Sequence, residues 1–389
     1  MKSALAVLTQ LVLSGTNYIV FILMARKLDE AEFVAFSTAM GLNMFSYALS
    51  EGGLSYVAPK ALAERNPSDF ARLAGAFMLT GFALYILSMA GGWLLWNKLA
   101  EQPLSTMWVL AYAIFFAPAL WMPSWITSWL IDRRAMATVI IVRAIIVITV
   151  AWRPNPVTLA ICGLAFCAQV LWLLRYFNLK RRIISFPSRG AMRLATYSLR
   201  SVFVARTISY TAYAALPLVV GVVRGGAEAA TYITAERLKS LYATLFQPFI
   251  QALYLWQVQS KISSASMRVL SIGLQAMNVL LCILMLVLAR HGWLGALGQR
   301  FTEMASSLTV WLAAGASVSS ACLLMFHIFP DKDFVVFRRA AAAQLLGFLA
   351  IILLLWRWPQ ESAVLLLLGG EVMLLLALSG QMLIKWNRK

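Results

Sequence analysis

Twelve long apolar runs, spread from one end of the chain to the other, limit the folds open to this sequence more than any other feature. They fall at about residues 4–25, 34–57, 71–97, 106–130, 135–152, 156–176, 194–222, 231–256, 269–289, 306–328, 341–357 and 362–384. A helix needs about 20 apolar residues to cross the roughly 30 Å hydrocarbon core of a bilayer. In that core every backbone N–H and C=O must be satisfied within the protein, so only helices and closed barrels span it. Barrel strands run about 9–11 residues with alternating polarity, and these runs are longer and unbroken. The chain therefore reads as an all-α polytopic membrane protein with about 12 transmembrane helices. Its charged fraction agrees: 12% of 389 residues, against about 25% in a soluble domain. The first run is longer than a signal-peptide core and lacks a convincing cleavage site, so it reads as a span that stays.

The formal net charge is +18. In a soluble chain that would point to nucleic acid. Here the cations sit in short loops between spans, which is the pattern of cytoplasmic loops in membrane proteins, and no nucleic-acid partner is expected. Twelve spans place both ends on one side. Eighteen of the 33 Lys and Arg then fall in loops on that side and eight on the other, so both termini are expected in the cytoplasm. The densest basic cluster, Lys180, Arg181, Arg182, Arg189 and Arg193, lies at mid-chain. It divides an N-terminal six-helix bundle (1–176) from a C-terminal one (194–389), with residues 177–193 as a basic cytoplasmic linker. Cys162, Cys167, Cys282 and Cys322 all lie in apolar runs and read as buried thiols. His291 and His327 are far apart, no spacing suggests zinc, and no metal site is expected.

Two sets of six spans suggest an internal repeat. A shift of 196 residues aligns AEFVAFSTAMGL (31–42) with AEAATYITAERL (227–238), with five identities in twelve positions. The same shift places Gln10, Ser14 and Asn17 on Arg206, Tyr210 and Tyr213. Spacings of i, i+4, i+7 put each trio on one helix face. Glu51 and Ser55 fall on Gln247 and Gln251, and Gly52 on Pro248. Polar interruptions at matching places in two halves point to a transport site at the interface between repeats.

A charge at mid-span is costly unless it faces a cavity or a partner; a central arginine costs at least about 2.5–3.5 kcal/mol on insertion scales. Arg206 lies about twelve residues into the seventh run, near mid-depth. Its planar fork suits phosphate oxygens, which it can meet with two hydrogen bonds at once; a structural pair with Glu51 or Glu371 is the alternative. Arg143, in IIVRAIIVI, invites the same reading without a polar stripe of its own. Arg200 is nearer the cytoplasmic end and can snorkel. Arg237 and Lys239 open the eighth run, where Glu236 and Lys239 at i, i+3 suggest a local pair. Glu236, Ser240, Gln247, Gln251 and Tyr254 make a polar stripe that suits a lumen. The candidate substrate-binding set is therefore Arg206, Arg143, Arg200, Tyr210, Tyr213, Arg237, Lys239, Gln247, Gln251, Gln10 and Asn17. Glu51, Glu236 and Glu371 are candidates for coupling or counter-charge, and the last, beside a Gly pair in LLGGEVMLLL, also suits helix packing. No Walker A, HExxH or GxSxG pattern occurs. No catalytic residue and no bound cofactor is expected, and coupling to H+ or Na+ stays open.

The stretches ARKLDEAEFVAFSTAMGL (25–42), GLSYVAPKALAE (53–64) and GVVRGGAEAATYITAERLKSLYATLFQPFIQALY (221–254) give the chain a family likeness. It resembles the polysaccharide (O-antigen, Wzx-type) flippases. They belong to the exporter superfamily that also holds the MATE drug transporters and the peptidoglycan-precursor flippases. Arg26, Phe33, Phe36, Tyr232 and Ala235 fit positions where that family carries arginine, aromatic residues and alanine. Asp29, Val34 and Ala230 stand where it carries glycines. The resemblance implies two pseudo-symmetric six-helix bundles of MATE type in a bacterial inner membrane. It implies movement of a polyprenyl-pyrophosphate-linked oligosaccharide from the cytoplasmic to the periplasmic leaflet by alternating access. Membrane lipids and other polysaccharide-assembly membrane proteins would be its partners. The rival readings are a MATE-type multidrug antiporter, which should hold cations with lumenal carboxylates, and a membrane polysaccharide polymerase. The polymerase needs a large outer loop, and the longest one expected here, residues 290–305, is short.

Overall fold

The computed structural model describes residues 2–51, 67–99, 104–121, 132–181, 185, 187–193, 216–217, 219–221, 223–260, 264–328, 334–357 and 364–387. Among them the chain is helical almost throughout and has no strand. It divides into two compact units, Met1–Gly226 and Ala227–Lys389.

Six long helices are described in the first unit: α1 (Lys2–Lys27), α2 (Glu30–Glu51), α3 (Pro67–Leu99), α4 (Thr106–Trp121), α5 (Arg133–Trp152) and α6 (Pro156–Arg181). Their starts are written in the sequence. Asp29 Oδ1 accepts the Glu32 N–H at 2.7 Å and opens α2. Asp132 Oδ1 accepts the Ala135 N–H at 2.9 Å and opens α5. Asn155 Oδ1 accepts the Thr158 N–H at 2.8 Å and opens α6, with Pro156 at the first helical position, where its missing N–H costs nothing. Asp29, one of the positions where the resemblance leads one to expect glycine, thus does work that glycine could not, because an N-cap needs a side-chain acceptor.

Within this unit α1 packs on α5, α2 on α3 and α4, and α6 on α4 and α5. Phe21 stacks on Phe36 at 5.8 Å, and Trp108 meets Phe36 edge-to-face at 5.2 Å. Two of the aromatic positions that carried the resemblance, Phe33 and Phe36, are therefore core residues. Gly163 lets α6 cross α4 in backbone contact: a Cβ there would lie 2.7 Å from the carbonyl carbon of Ile114. Between α2 and α3 the buried Tyr85 hydroxyl donates to Asn43 Oδ1.

The second unit contains α7 (Gly226–Ser260), α8 (Ser264–Arg290), a short helix α9 (Gln299–Ala305), α10 (Leu308–Leu323), α11 (Phe334–Arg357) and α12 (Leu365–Asn387). Its packed pairs are α11–α12, α10–α12 and α8–α10. The last turn of the tenth run widens into a π-helical turn, Leu324–Ile328. The segment read from sequence as a plain outer loop, 290–305, is instead a 3-10 turn, Trp293–Leu297, followed by α9. Gly292 (φ 76°) and Gly298 (φ 103°) supply the positive-φ corners that a side chain would strain.

Seven of these helices, α3, α5, α6, α8, α10, α11 and α12, are long and apolar enough to cross a membrane. Leu87, Ile148, Leu171 and Leu280 are among many large apolar side chains left exposed. Exposed apolar area on that scale is the surface of a protein solvated by lipid. The seventh run, 194–222, lies mostly outside the described residues, as do 52–57 of the second and 122–130 of the fourth.

Candidate functional site

The first unit holds a buried cation. Along α5, Val139, Arg143, Ile146 and Val150 are buried while Ile141, Ile145 and Ile148 are exposed. The spacing of four, three and four places the buried set on one face. Arg143 lies on that inner face and is 3% exposed. Its guanidinium carbon sits 3.8 Å from the centroid of the Phe166 ring on α6, and Nη1 donates to Asn17 Oδ1 on α1 at 3.4 Å. Nε has no hydrogen-bond partner among the described residues. No carboxylate pairs with Arg143 among the described residues. A ring face is attractive to a cation, and an amide oxygen accepts one hydrogen bond, but neither cancels a unit charge. Among the described residues the site is a buried guanidinium whose donors are not all used.

The sequence named both Arg143 and Asn17 but gave no reason to join them. The polar face expected on α1 is the stripe that Arg143 lacked on its own helix. Phe166 was not named, because a phenylalanine among leucines and alanines in an apolar run gives no sign that it faces a cation. One turn on from Phe166, the buried Gln169 donates from Nε2 to the Thr138 carbonyl at 2.9 Å, and its Oε1 has no donor among the described residues.

The second unit treats its charges differently. Lys239 on α7 is 3% exposed and Glu371 on α12 is 4% exposed; Lys239 Nζ donates to Glu371 Oε1 at 2.9 Å. This corrects the local pair expected between Glu236 and Lys239. Lysine turns to a carboxylate 132 positions away in sequence, while Glu236 accepts from the Ser240 hydroxyl at 2.5 Å and lies 3.5 Å from Arg237 Nε. At i, i+1 the latter two are sequence neighbours rather than stacked along the helix. The Tyr232 hydroxyl, fully buried, has no hydrogen-bond partner among the described residues. Two cations and two carboxylates thus balance along α7 and α12. Glu371 is also where α12 passes close to α11: a Cβ on the preceding Gly370 would lie 2.0 Å from the Phe348 ring.

Gln247 is half-buried on α7, two turns from the Glu236–Lys239 cluster. Gln10, Glu51 and Gln251 lie on α1, α2 and α7, but their side chains fall outside the described residues, and Arg200, Arg206, Tyr210 and Tyr213 fall outside them altogether. No three His, Cys, Asp or Glu side chains gather as a metal site among the described residues.

No family model matches the chain, and no curated protein matches it in sequence. Solved structures match it over nearly its whole length. A eukaryotic MATE transporter aligns with 98% of this chain and 94% of its own, at TM-score 0.72 and 14% identity. A MOP superfamily transporter from Pyrococcus furiosus, described as having a binding pocket of reverse polarity that suggests a different function, aligns with 100% of this chain and 95% of its own, at TM-score 0.66 and 14% identity. The outward-facing form of a multidrug resistance MATE family transporter aligns with 99% of this chain and 94% of its own, at TM-score 0.64 and 13% identity. The chain has the fold of the MATE-type transporters, with two helical bundles.

Proposed function

We propose that this chain is a flippase that carries a polyprenyl-pyrophosphate-linked oligosaccharide repeat unit from the cytoplasmic to the periplasmic leaflet of a bacterial inner membrane, with both termini cytoplasmic. The observation that carries the reading is Arg143, a guanidinium 3% exposed with an amide and an aromatic ring as neighbours and no carboxylate among the described residues. A transporter of cations has no use for a buried, unmatched positive charge. A transporter of anions does, because a pyrophosphate can supply the missing counter-charge and accept from Nε and the free Nη hydrogens. Arg206, Arg200, Tyr210, Tyr213, Gln10, Gln247 and Gln251 complete the proposed site on the sequence argument. One neighbour of this fold is itself described as having a binding pocket of reverse polarity.

Alternating access of two bundles gives the reaction its path. The membrane potential favours its direction, since an anion leaving an inside-negative cell gains about 2.3 kcal/mol per charge per 100 mV. The second reading, a multidrug antiporter, draws on the solved neighbours described as multidrug resistance transporters. Glu236 and Glu371 are the carboxylates it would use, yet both already face internal cations.

The test is a strain lacking the gene. The flippase reading expects the complete sugar-bearing polyprenyl lipid to accumulate on the cytoplasmic side while surface polysaccharide disappears. Normal surface polysaccharide without accumulation overturns it in favour of the exporter, and surface chains cut to single repeat units point to a polymerase.

A further inference from the structure

On the lipid-facing side of the second unit, α11 and α12 enclose a groove of about 900 Å³. That is the upper end of the size range of small-molecule sites, about 300–1,000 Å³. Every described side chain lining it is apolar. Its floor is made of the smallest residues, Gly347, Ala350 and Gly369, and its walls of leucines such as Leu346, Leu354 and Leu368. The helices nearly touch there, with Ile351 and Met373, which also line the groove, against the two glycines. A Cβ on Gly369 would lie 1.7 Å from Ile351 Cδ1, and one on Gly347 would lie 3.2 Å from the Gly369 carbonyl oxygen.

The groove is not electrically neutral at its ends. Arg339, Leu346, Ala350 and Arg357 are spaced by seven, four and seven residues, so they follow one line along α11. Arg357 comes three residues after Leu354, about 4.5 Å further along the axis. Arg339 is farther away, about 10 Å before Leu346. Both are exposed, and neither is in an ion pair among the described residues. An apolar channel with an exposed cation one turn beyond its last lining leucine on α11 is complementary to an amphiphile with an anionic head. A zwitterionic head would bring its own ammonium against Arg357.

We propose that this groove binds an anionic glycerophospholipid of the surrounding bilayer, one hydrocarbon chain lying on the Gly347–Gly369 floor and the phosphate pairing with Arg357. This site is separate from Arg143 and stands whether or not the flippase reading holds.

The experiment is native mass spectrometry of the full-length protein released from micelles containing equal amounts of phosphatidylglycerol and phosphatidylcholine. Wild type should retain one phosphatidylglycerol per chain, with a preference of about fivefold, the scale of one basic residue meeting an anionic lipid at the membrane surface. Arg357→Gln should keep a bound lipid and lose the preference. Ala350→Phe, which fills the floor, should lose the lipid, and Leu354→Trp serves the same purpose if Ala350→Phe does not fold, folding being read from the thermal midpoint in the same detergent. Equal retention of both lipids by wild type overturns the proposal, as does an undiminished preference in Arg357→Gln. So does a doubled chain mass in place of bound lipid, which would make the groove a dimer contact. Displacement of phosphatidylglycerol by an equal concentration of undecaprenyl phosphate would hand the groove to the transported lipid and overturn it too.

Discussion

Arg143 in the first unit and Lys239 in the second are buried to the same extent, 3% exposed each, and their surroundings are opposites. Lys239 has a carboxylate at 2.9 Å. Arg143 has a ring at 3.8 Å and an amide oxygen at 3.4 Å. The lysine is part of a closed pair whose charge is spent inside the protein, tying α7 to α12. No carboxylate meets the arginine among the described residues. Burial alone does not separate a structural charge from a functional one; the identity of the partner does.

The widest contrast should appear in stability. Glu371→Ala leaves Lys239 as an uncompensated buried charge and should cost about 3–5 kcal/mol, read from denaturation in detergent. The double variant Lys239→Met/Glu371→Leu, which removes both charges, should recover most of it. Arg143→Met should behave in the opposite way. It removes a desolvated charge with no carboxylate partner among the described residues, so the thermal midpoint should hold or rise, while affinity for inorganic pyrophosphate should fall by about 12- to 150-fold, the loss of a charged hydrogen bond worth about 1.5–3 kcal/mol. A drop in stability without a drop in pyrophosphate binding would make Arg143 a second structural charge and erase the contrast. The smallest effects belong to its neighbours. Phe166→Leu should weaken binding by about 2 kcal/mol if the ring holds the guanidinium in place, with Phe166→Tyr restoring it. Asn17→Leu should cost about 0.5–1 kcal/mol, because its contact sits at the long end of hydrogen-bond geometry. Isothermal titration of all three first-unit variants would order them.

Much of the architecture could be read before the coordinates. Described helices overlap eleven of the twelve expected spans, because lipid demands a long apolar run wherever a helix crosses. The caps at Asp29, Asp132 and Asn155 are local, each acting within three residues. The candidate site was legible only in part. Arg143 could be named because charge within an apolar run is rare. Its facing could not, because isoleucine and valine occupy both sides of α5 and give no moment to orient the helix. The pairing of Lys239 with Glu371 was missed for another reason: the i, i+3 neighbour at Glu236 offered a partner nearer in sequence.

By itself the sequence determined the all-helical, apolar class of the protein and the approximate limits of the helices in eleven of its twelve expected spans, and it named Arg143, Lys239 and Glu371 among the charges that are buried, since each follows from what a bilayer will accept locally. The tertiary structure decided which of those charges are neutralised. That depends on residues far apart in the chain, Asn17 with Arg143 and Lys239 with Glu371, meeting when the helices pack. Among the described residues, the packed helices bring a carboxylate to Lys239 and an amide and a ring to Arg143.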